Sequence, residues 1–375
     1  MMNNKVFNFS VIIIFTAIFS YFNFQNREYD WDMPGYLGCL FETEYRGNIE
    51  KIHQKTYSSI EKEAPEKAFQ KIQGKIFDNK ATSKFYESPS AFYEQLPYYK
   101  IKPAYNFLIF MFYKSGFSPP LSVLLPNIFT YFLSGILLFL IFSEIFPKRN
   151  FVAALFSICI LIFPPFRYLS TIASPDMLAL FFMFLFIFSV IKKSPLFFQF
   201  LALLGLILAR PDYIVFVLSY FGIYFLYNLF KTKKIDWKPM IFLIISGGIY
   251  MAVLKIYNYP GWDDVFYDSF IKRRPILSQE SPDFTMKEYI EIILKNIINF
   301  KKITLSGLLF SGICFYFSKN IWAKIFTIFL LLNIYLKFIF FPASGEYRFF
   351  LGYLILLFIW MLYQIFKKFS KEELK

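Results

Sequence analysis

Leu201-Ala202-Leu203-Leu204-Gly205-Leu206-Ile207-Leu208-Ala209 carries no charge and runs directly into Arg210-Pro211-Asp212. Nine apolar or small residues closed by an arginine, a proline and an acid read as a buried or lipid-embedded helix that stops at a polar boundary. The same pattern recurs along the chain, roughly at 6–24, 119–146, 151–165, 176–191, 196–210, 212–230, 240–257, 303–318, 321–341 and 349–366. These runs predict an all-α membrane protein, a polytopic bundle of about ten transmembrane helices. Several runs are short for a hydrocarbon layer about 30 Å thick, which implies local thinning or partial spans lining a cavity. At 196–230, one kinked helix is the alternative to two spans.

Composition agrees. The 375 residues are 57% hydrophobic, with 54 Phe and 27 Tyr, and the mean hydropathy is +0.46. Soluble domains are less apolar than this. The net charge of +14 does not signal nucleic acid, because the excess Lys and Arg sits in short connections: Lys148-Arg149, Lys192-Lys193, Lys231, Lys233, Lys234 and Lys238, Lys319, and Lys367, Lys368, Lys371 and Lys375. These mark alternate connections as cytoplasmic and put both termini inside an inner (cytoplasmic) membrane, with anionic lipid as the natural partner of the basic loops. Cys39, Cys159 and Cys314 imply no disulfide framework, and the single His53 excludes multi-His metal sites. The first run ends in Tyr21-Phe22-Asn23-Phe24 without small residues, so it reads as a retained anchor rather than a cleaved signal.

That orientation makes the chain a single transmembrane domain (1–375) with two large extracytoplasmic loops, 25–118 and 258–302. In the first loop, 58–80 reads as an amphipathic helix. Ser58 and Glu61 form a candidate capping box, Pro65 restarts the helix, and Ala68, Ile72 and Ile76 share one face. The 103–116 segment is apolar but too short to span, an interfacial helix leading into the next crossing. In the second loop, Thr285 and Glu288 cap a segment that lays Tyr289, Ile293 and Ile297 on the membrane.

Every unusual charge then falls at the outer face: Asp30, Asp32, Asp176, Arg210, Asp212, Asp263, Asp264, Glu346 and Arg348. In Glu28-Tyr29-Asp30-Trp31-Asp32-Met33-Pro34-Gly35-Tyr36, Pro34 and Gly35 break a helix, which predicts an extended stretch with Asp30 and Asp32 on one face and Trp31 on the other. Two carboxylates so spaced can raise each other's pKa, hold a divalent cation, or divide base and positioning roles; a solvated acidic loop is the plainer alternative. Arg210 and Arg348 have the fork geometry that suits a phosphate. An Arg210–Asp212 pair or snorkelling accounts equally for Arg210, as interfacial anchoring does for Arg348. Asp176 follows Ser174-Pro175 at a helix start, where it favours the N-terminus; Asp263-Asp264 reads as a solvated turn.

Taken together, these residues resemble the GT-C superfamily of integral-membrane glycosyltransferases, near protein mannosyltransferase and lipid A aminoarabinose transferase relatives of bacterial cell envelopes. Asp32 and Tyr36 look like the family's first-loop acid followed four positions later by Tyr. Asp176, opening the fourth span, Gly205…Arg210-Pro211-Asp212 and Glu346-Tyr347-Arg348 are similar to further family features. Many members have a second acid where Met33 stands here, which leaves open whether Asp32 or Asp30 is the base. The resemblance implies an inverting transfer from a polyprenyl-phosphate sugar to a lipid, glycan or protein acceptor, with Arg210 and Arg348 on the donor phosphate. Tyr36, Asp176, Asp212, Glu346, Asp263 and Asp264 would support the site. No organic cofactor is implied; a divalent cation on Asp30 and Asp32 is an option. Alternatives are a polysaccharide polymerase or ligase, whose largest outer loop would come late, and a transporter or flippase without chemistry, whose charges would lie near the bilayer midplane.

Overall fold

The computed structural model describes residues 5–76, 79–341 and 347–372. It is helical throughout, with no strand among those residues. The helices, in chain order, are α1 (Lys5–Gln25), α2 (Met33–Glu44), α3 (Ile49–Glu63), α4 (Glu66–Ile72), α5 (Lys80–Glu87), α6 (Pro89–Glu94), α7 (Pro97–Lys100), α8 (Pro103–Lys114), α9 (Pro119–Ile145), α10 (Asn150–Ile162), α11 (Pro164–Thr171), α12 (Asp176–Ile191), α13 (Leu196–Ala209), α14 (Ile214–Thr232), α15 (Trp237–Ile256), α16 (Trp262–Phe270), α17 (Met286–Asn299), α18 (Lys301–Phe317), α19 (Ile321–Phe340) and α20 (Arg348–Glu372).

Six of these are long and apolar enough to cross a membrane, or eight if the bent pairs α10–α11 (60°) and α17–α18 (68°) each count as one span. The bend between α10 and α11 falls at Pro164-Pro165, where two prolines remove helical donors. With 16 and 14 residues, α12 and α13 are apolar but short, about 24 Å and 21 Å at 1.5 Å per residue. The 196–230 region is two helices, separated by a 3-10 turn at Pro211–Tyr213.

The packing is that of a protein solvated by lipid. The buried face of α1 is Asn8, Ile12, Thr16, Ser20 and Asn23, while Val6, Phe7, Ile14, Ile18 and Phe22 face outward. Likewise α15 buries only Pro239, Ser246 and Val253 and exposes Ile241, Ile244, Met251 and Ile256. In water such helices would be inside out; in a bilayer, small and polar residues belong at helix contacts because lipid already satisfies the apolar ones. Gly135 illustrates the closeness this permits: a Cβ there would lie 2.6 Å from Thr16 of α1. The protein is therefore a multi-pass membrane protein. Its centre is α9, against which α1, α8, α10, α11 and α12 pack; α20 closes the other side against α12, α18 and α19.

Helices α2 to α8 form a compact unit on α9, with Leu37, Leu40, Ile52, Ile60, Phe92 and Leu96 in its core. Here the local expectations shift. Ser58 lies inside α3, which is capped instead by Asn48, so Ser58 and Glu61 do not start a helix. Pro65 does restart one, as the N-cap of α4. Pro34 and Gly35 do not break the chain but sit in the first turn of α2, where the missing proline N–H costs nothing. The Thr285–Glu288 capping box forms. On α17, however, Tyr289, Ile293 and Ile297 turn toward the protein, and Met286, Ile290, Leu294 and Ile298 form the exposed apolar stripe. Tyr289 Oη and Trp262 Nε1 donate to the carbonyls of Ile339 and Phe340, satisfying orphan acceptors at the end of α19.

Candidate functional site

Helix ends from most of the chain converge on one cavity of about 690 Å³. Its walls include Asp30, Asp32 and Tyr36 from the α1–α2 junction, Asp176 at the start of α12, Arg210 and Asp212 at the α13–α14 break, Lys337 near the end of α19, and Arg348 at the start of α20. Residues separated by more than three hundred positions thus share one chamber at one end of the bundle. Of the remaining expected residues, Asp263 is exposed and does not line the cavity. Asp264 is spent on Arg274, at 2.6 Å. Glu346 lies outside the described residues.

The electrostatics form a chain of alternating charge. Arg210 donates Nε and Nη2 to the two oxygens of Asp212, both at 3.0 Å, and Nη1 to Asp176. Lys337 pairs with the same Asp212. Arg348 stands 3.7 Å from Asp176 and 3.9 Å from Asp32. Ser174 Oγ donates to Asp176 at 2.6 Å. The Arg210–Asp212 pairing is the outcome in which Arg210 is held by carboxylates; a bidentate, largely buried pair of this kind is a clasp as well as a wall.

Asp30 and Asp32 separate in role. The stretch is a turn rather than extended, because the Met33 and Gly35 amides bond back to the Asp30 and Asp32 carbonyls. One Asp30 oxygen accepts the Met33 N–H at 3.2 Å and the other the Ala173 N–H at 3.0 Å. Asp30 therefore ties the α1–α2 junction to the segment before α12. Burial, and then the neighbouring Asp32 carboxylate, push its carboxyl well above the usual range. Asp32 instead accepts from Tyr99 Oη at 3.1 Å and faces Arg348. Trp31 does not point away from them; it too lines the cavity. As ligands for a cation, Asp30 and Asp32 fit poorly: backbone N–H groups occupy both oxygens of Asp30, and among the described residues no group of three or more His, Cys, Asp or Glu could hold a metal.

Sequence reading overlooked several residues. Lys102 donates to Tyr36 Oη at 3.0 Å, beside the rings of Tyr36 and Tyr99, and burial draws its ammonium down to about 8. Arg273 comes from the segment after α16, Asp268 from α16 itself and Tyr98 from α7. Only Lys337 carried a signal, as a lysine inside an apolar run. The rest carry no mark in the sequence until the fold gathers them.

Gly35 makes room for this arrangement. A Cβ at that position would lie 2.4 Å from the Tyr99 ring, the ring whose hydroxyl holds Asp32. Gly35→Ala is expected to push Tyr99 off Asp32 and to destabilise the protein by about 1–3 kcal/mol through overpacking. A lower thermal midpoint in detergent would register it; an unchanged midpoint would show that the ring yields freely.

Chemically, a carboxylate that shares a chamber with several cations can take a proton from a hydroxyl while an anionic leaving group is stabilised nearby. No family model, curated protein or solved structure matches this chain.

Proposed function

We propose that this protein is a membrane glycosyltransferase that moves a sugar from a polyprenyl-phosphate donor to an acceptor hydroxyl at the outer face of the cytoplasmic membrane. The observation that carries the reading is the meeting of Asp32 with Arg348, Arg210, Lys337 and Lys102 around one cavity at a single end of the bundle. In the proposed topology α12, α13 and the bent pairs all count as crossings, ten in total, with the termini inside. Short α12 and α13 then end at the chamber, which brings it to the depth of a lipid-linked phosphate.

The proposed reaction is one inverting displacement. Asp32 accepts the proton of the acceptor hydroxyl as that oxygen attacks the anomeric carbon, and the bond from that carbon to the phosphate oxygen breaks. The electron pair leaves with the polyprenyl phosphate, whose growing charge is met by Arg348 and Lys102, with Arg210 and Lys337 behind them. Tyr99 and Tyr36 orient Asp32 and Lys102. The donor's tail would leave past Tyr250 and Leu254, which bring the cavity to α15, the least buried of the six single-helix candidate spans. Asp30 positions the junction and is not the base.

The test is purified protein in lipid nanodiscs with polyprenyl-phosphate-linked sugars. Consumption of the donor, with the sugar leaving in the opposite anomeric configuration, is the expected result. Movement of a solute across vesicles with no donor consumed would replace this reading with that of a transporter.

The pH profile supplies a further prediction. The ammonium of Lys102 is lost as pH rises through about 8, so attraction for the donor phosphate falls above that value. Donor kcat/KM, which reports the free enzyme, is expected to drop about tenfold per pH unit beyond it. In Lys102→Arg the charge persists and this alkaline limb disappears. A wild-type profile that stays flat to pH 9.5 would remove Lys102 from the phosphate site.

A further inference from the structure

The adjacent arginines Arg273 and Arg274 meet opposite fates. Arg274 is 1% exposed and fully committed: it bonds both oxygens of Asp268, Asp264 and the Glu280 carbonyl. Its neighbour Arg273 lines the cavity and reaches no carboxylate among the described residues. Its Nη2 donates to a neutral amide, Gln95 Oε1, at 3.1 Å, and its buried Nε has no partner among the described residues. The guanidinium is fixed instead by aromatic rings, with its carbon 5.3 Å from the Tyr98 centroid, 5.7 Å from Phe85 and 5.8 Å from Trp31. Asp268, a cavity acid in the preceding helix α16, is neutralised by Arg274 and accepts from Tyr98 at 2.7 Å. A part-buried cation with a buried, unused donor is costly unless an anion completes it.

Trp31 supplies the second half. The residue is 48% exposed although it belongs to the cavity wall, so part of it is accessible to whatever enters. In sequence it directly precedes Asp32. A sugar ring stacked on Trp31 therefore presents its hydroxyls to Asp32 while a substituent on the ring reaches Arg273. From this geometry we infer that the part of the cavity between Trp31 and Arg273 is an acceptor subsite for an anionic saccharide, a pyranose whose carboxylate or phosphate is held by Arg273. The inference rests on the transferase reading for the word acceptor, but the subsite itself can be tested by binding alone.

The probes are glucuronate, glucose 6-phosphate and glucose, each titrated onto the full-length protein in nanodiscs and followed by ligand-observed NMR. Both anionic sugars are expected to bind roughly 10- to 100-fold more tightly than glucose, the range for a hydrogen bond to a charged group. Arg273→Gln should bring that ratio close to one, and Arg273→Lys should recover part of it. Trp31→Ala changes an exposed ring and should weaken all three sugars about equally. Arg348→Gln should weaken binding of polyprenyl phosphate yet keep the ratio. The inference is overturned if the anionic sugars hold no advantage, if Arg273→Gln leaves the advantage intact, or if Arg348→Gln abolishes it as fully. Donor consumption is read separately. An anion preference that depends on Arg273 in a protein that consumes no donor would keep the subsite and discard the transferase, whereas consumption without that preference would do the reverse.

Discussion

Asp32→Asn is expected to lower transfer from a polyprenyl-phosphate sugar by about 10²–10⁴-fold, the contribution of a positioned general base, with little change in thermal stability. The substitution is nearly isosteric. Asp32 is the N-cap of α2, but its side chain makes no capping hydrogen bond, and asparagine is as good a residue there. Its amide oxygen can still accept from Tyr99. What disappears is the basic oxygen and the charge facing Arg348 at 3.9 Å, an ion pair long enough that its loss is a small stability effect. The companion Asp30→Asn separates the two carboxylates. Both Asp30 oxygens accept backbone N–H groups, so one is replaced by a donor facing a donor. That variant should lose melting temperature first and activity through it. Transfer near the wild-type rate in folded Asp32→Asn would end the base assignment; loss confined to Asp30→Asn, with the fold intact, would move it to Asp30.

Arg210→Met is the prediction with the largest effect on stability. Arg210 bridges Asp176 and Asp212, with side chains only 12%, 5% and 14% exposed respectively. Removing one member of a buried ionic group leaves the others desolvated and underpaired, which costs about 3–5 kcal/mol. The lower end, about 3 kcal/mol, is expected here because Lys337 still pairs with Asp212 and Ser174 still donates to Asp176. Adding Asp212→Asn to Arg210→Met should restore part of the loss, since the unpaired charge is then gone; independent sites would instead add. Arg210→Lys should fall between wild type and Arg210→Met, as one ammonium cannot reproduce the fork that grips two oxygens of Asp212 and reaches Asp176. Unfolding followed in mild detergent reads all three. If Arg210→Met melts with wild type while donor binding fails, Arg210 is a ligand for the phosphate and not a clasp.

The membrane class was legible because it depends on one-dimensional properties. Uncharged runs of helical length, bounded by prolines and lysines, are visible in order along the chain, and helices α1, α9, α14, α15, α19 and α20 lie where those runs predict. The convergence of Asp30, Asp32, Asp176, Arg210, Asp212 and Arg348 was legible for a related reason: each lies at or shortly beyond the end of an apolar run, and ends of neighbouring spans share a face. The errors were local. Pro34 and Gly35 read equally as breakers or as a helix's first turn, and only the docking of α2 under Tyr99 decides between them. Asp263 and Asp264 share the chemistry of the wall carboxylates, but α16 turns one to solvent and gives the other to Arg274.

The chain's order of apolar and charged residues determined by itself that this is a helical multi-pass protein with its acids and arginines at helix ends. Tertiary structure alone decided which of them act together. Lys102, Lys337 and Arg273 join the chamber through helix packing, and Asp30 and Asp32 part because backbone donors claim one and a tyrosine and an arginine face the other. The reason is physical: partition into lipid depends on a segment's own composition, whereas a hydrogen bond depends on what a distant segment brings within about 3 Å.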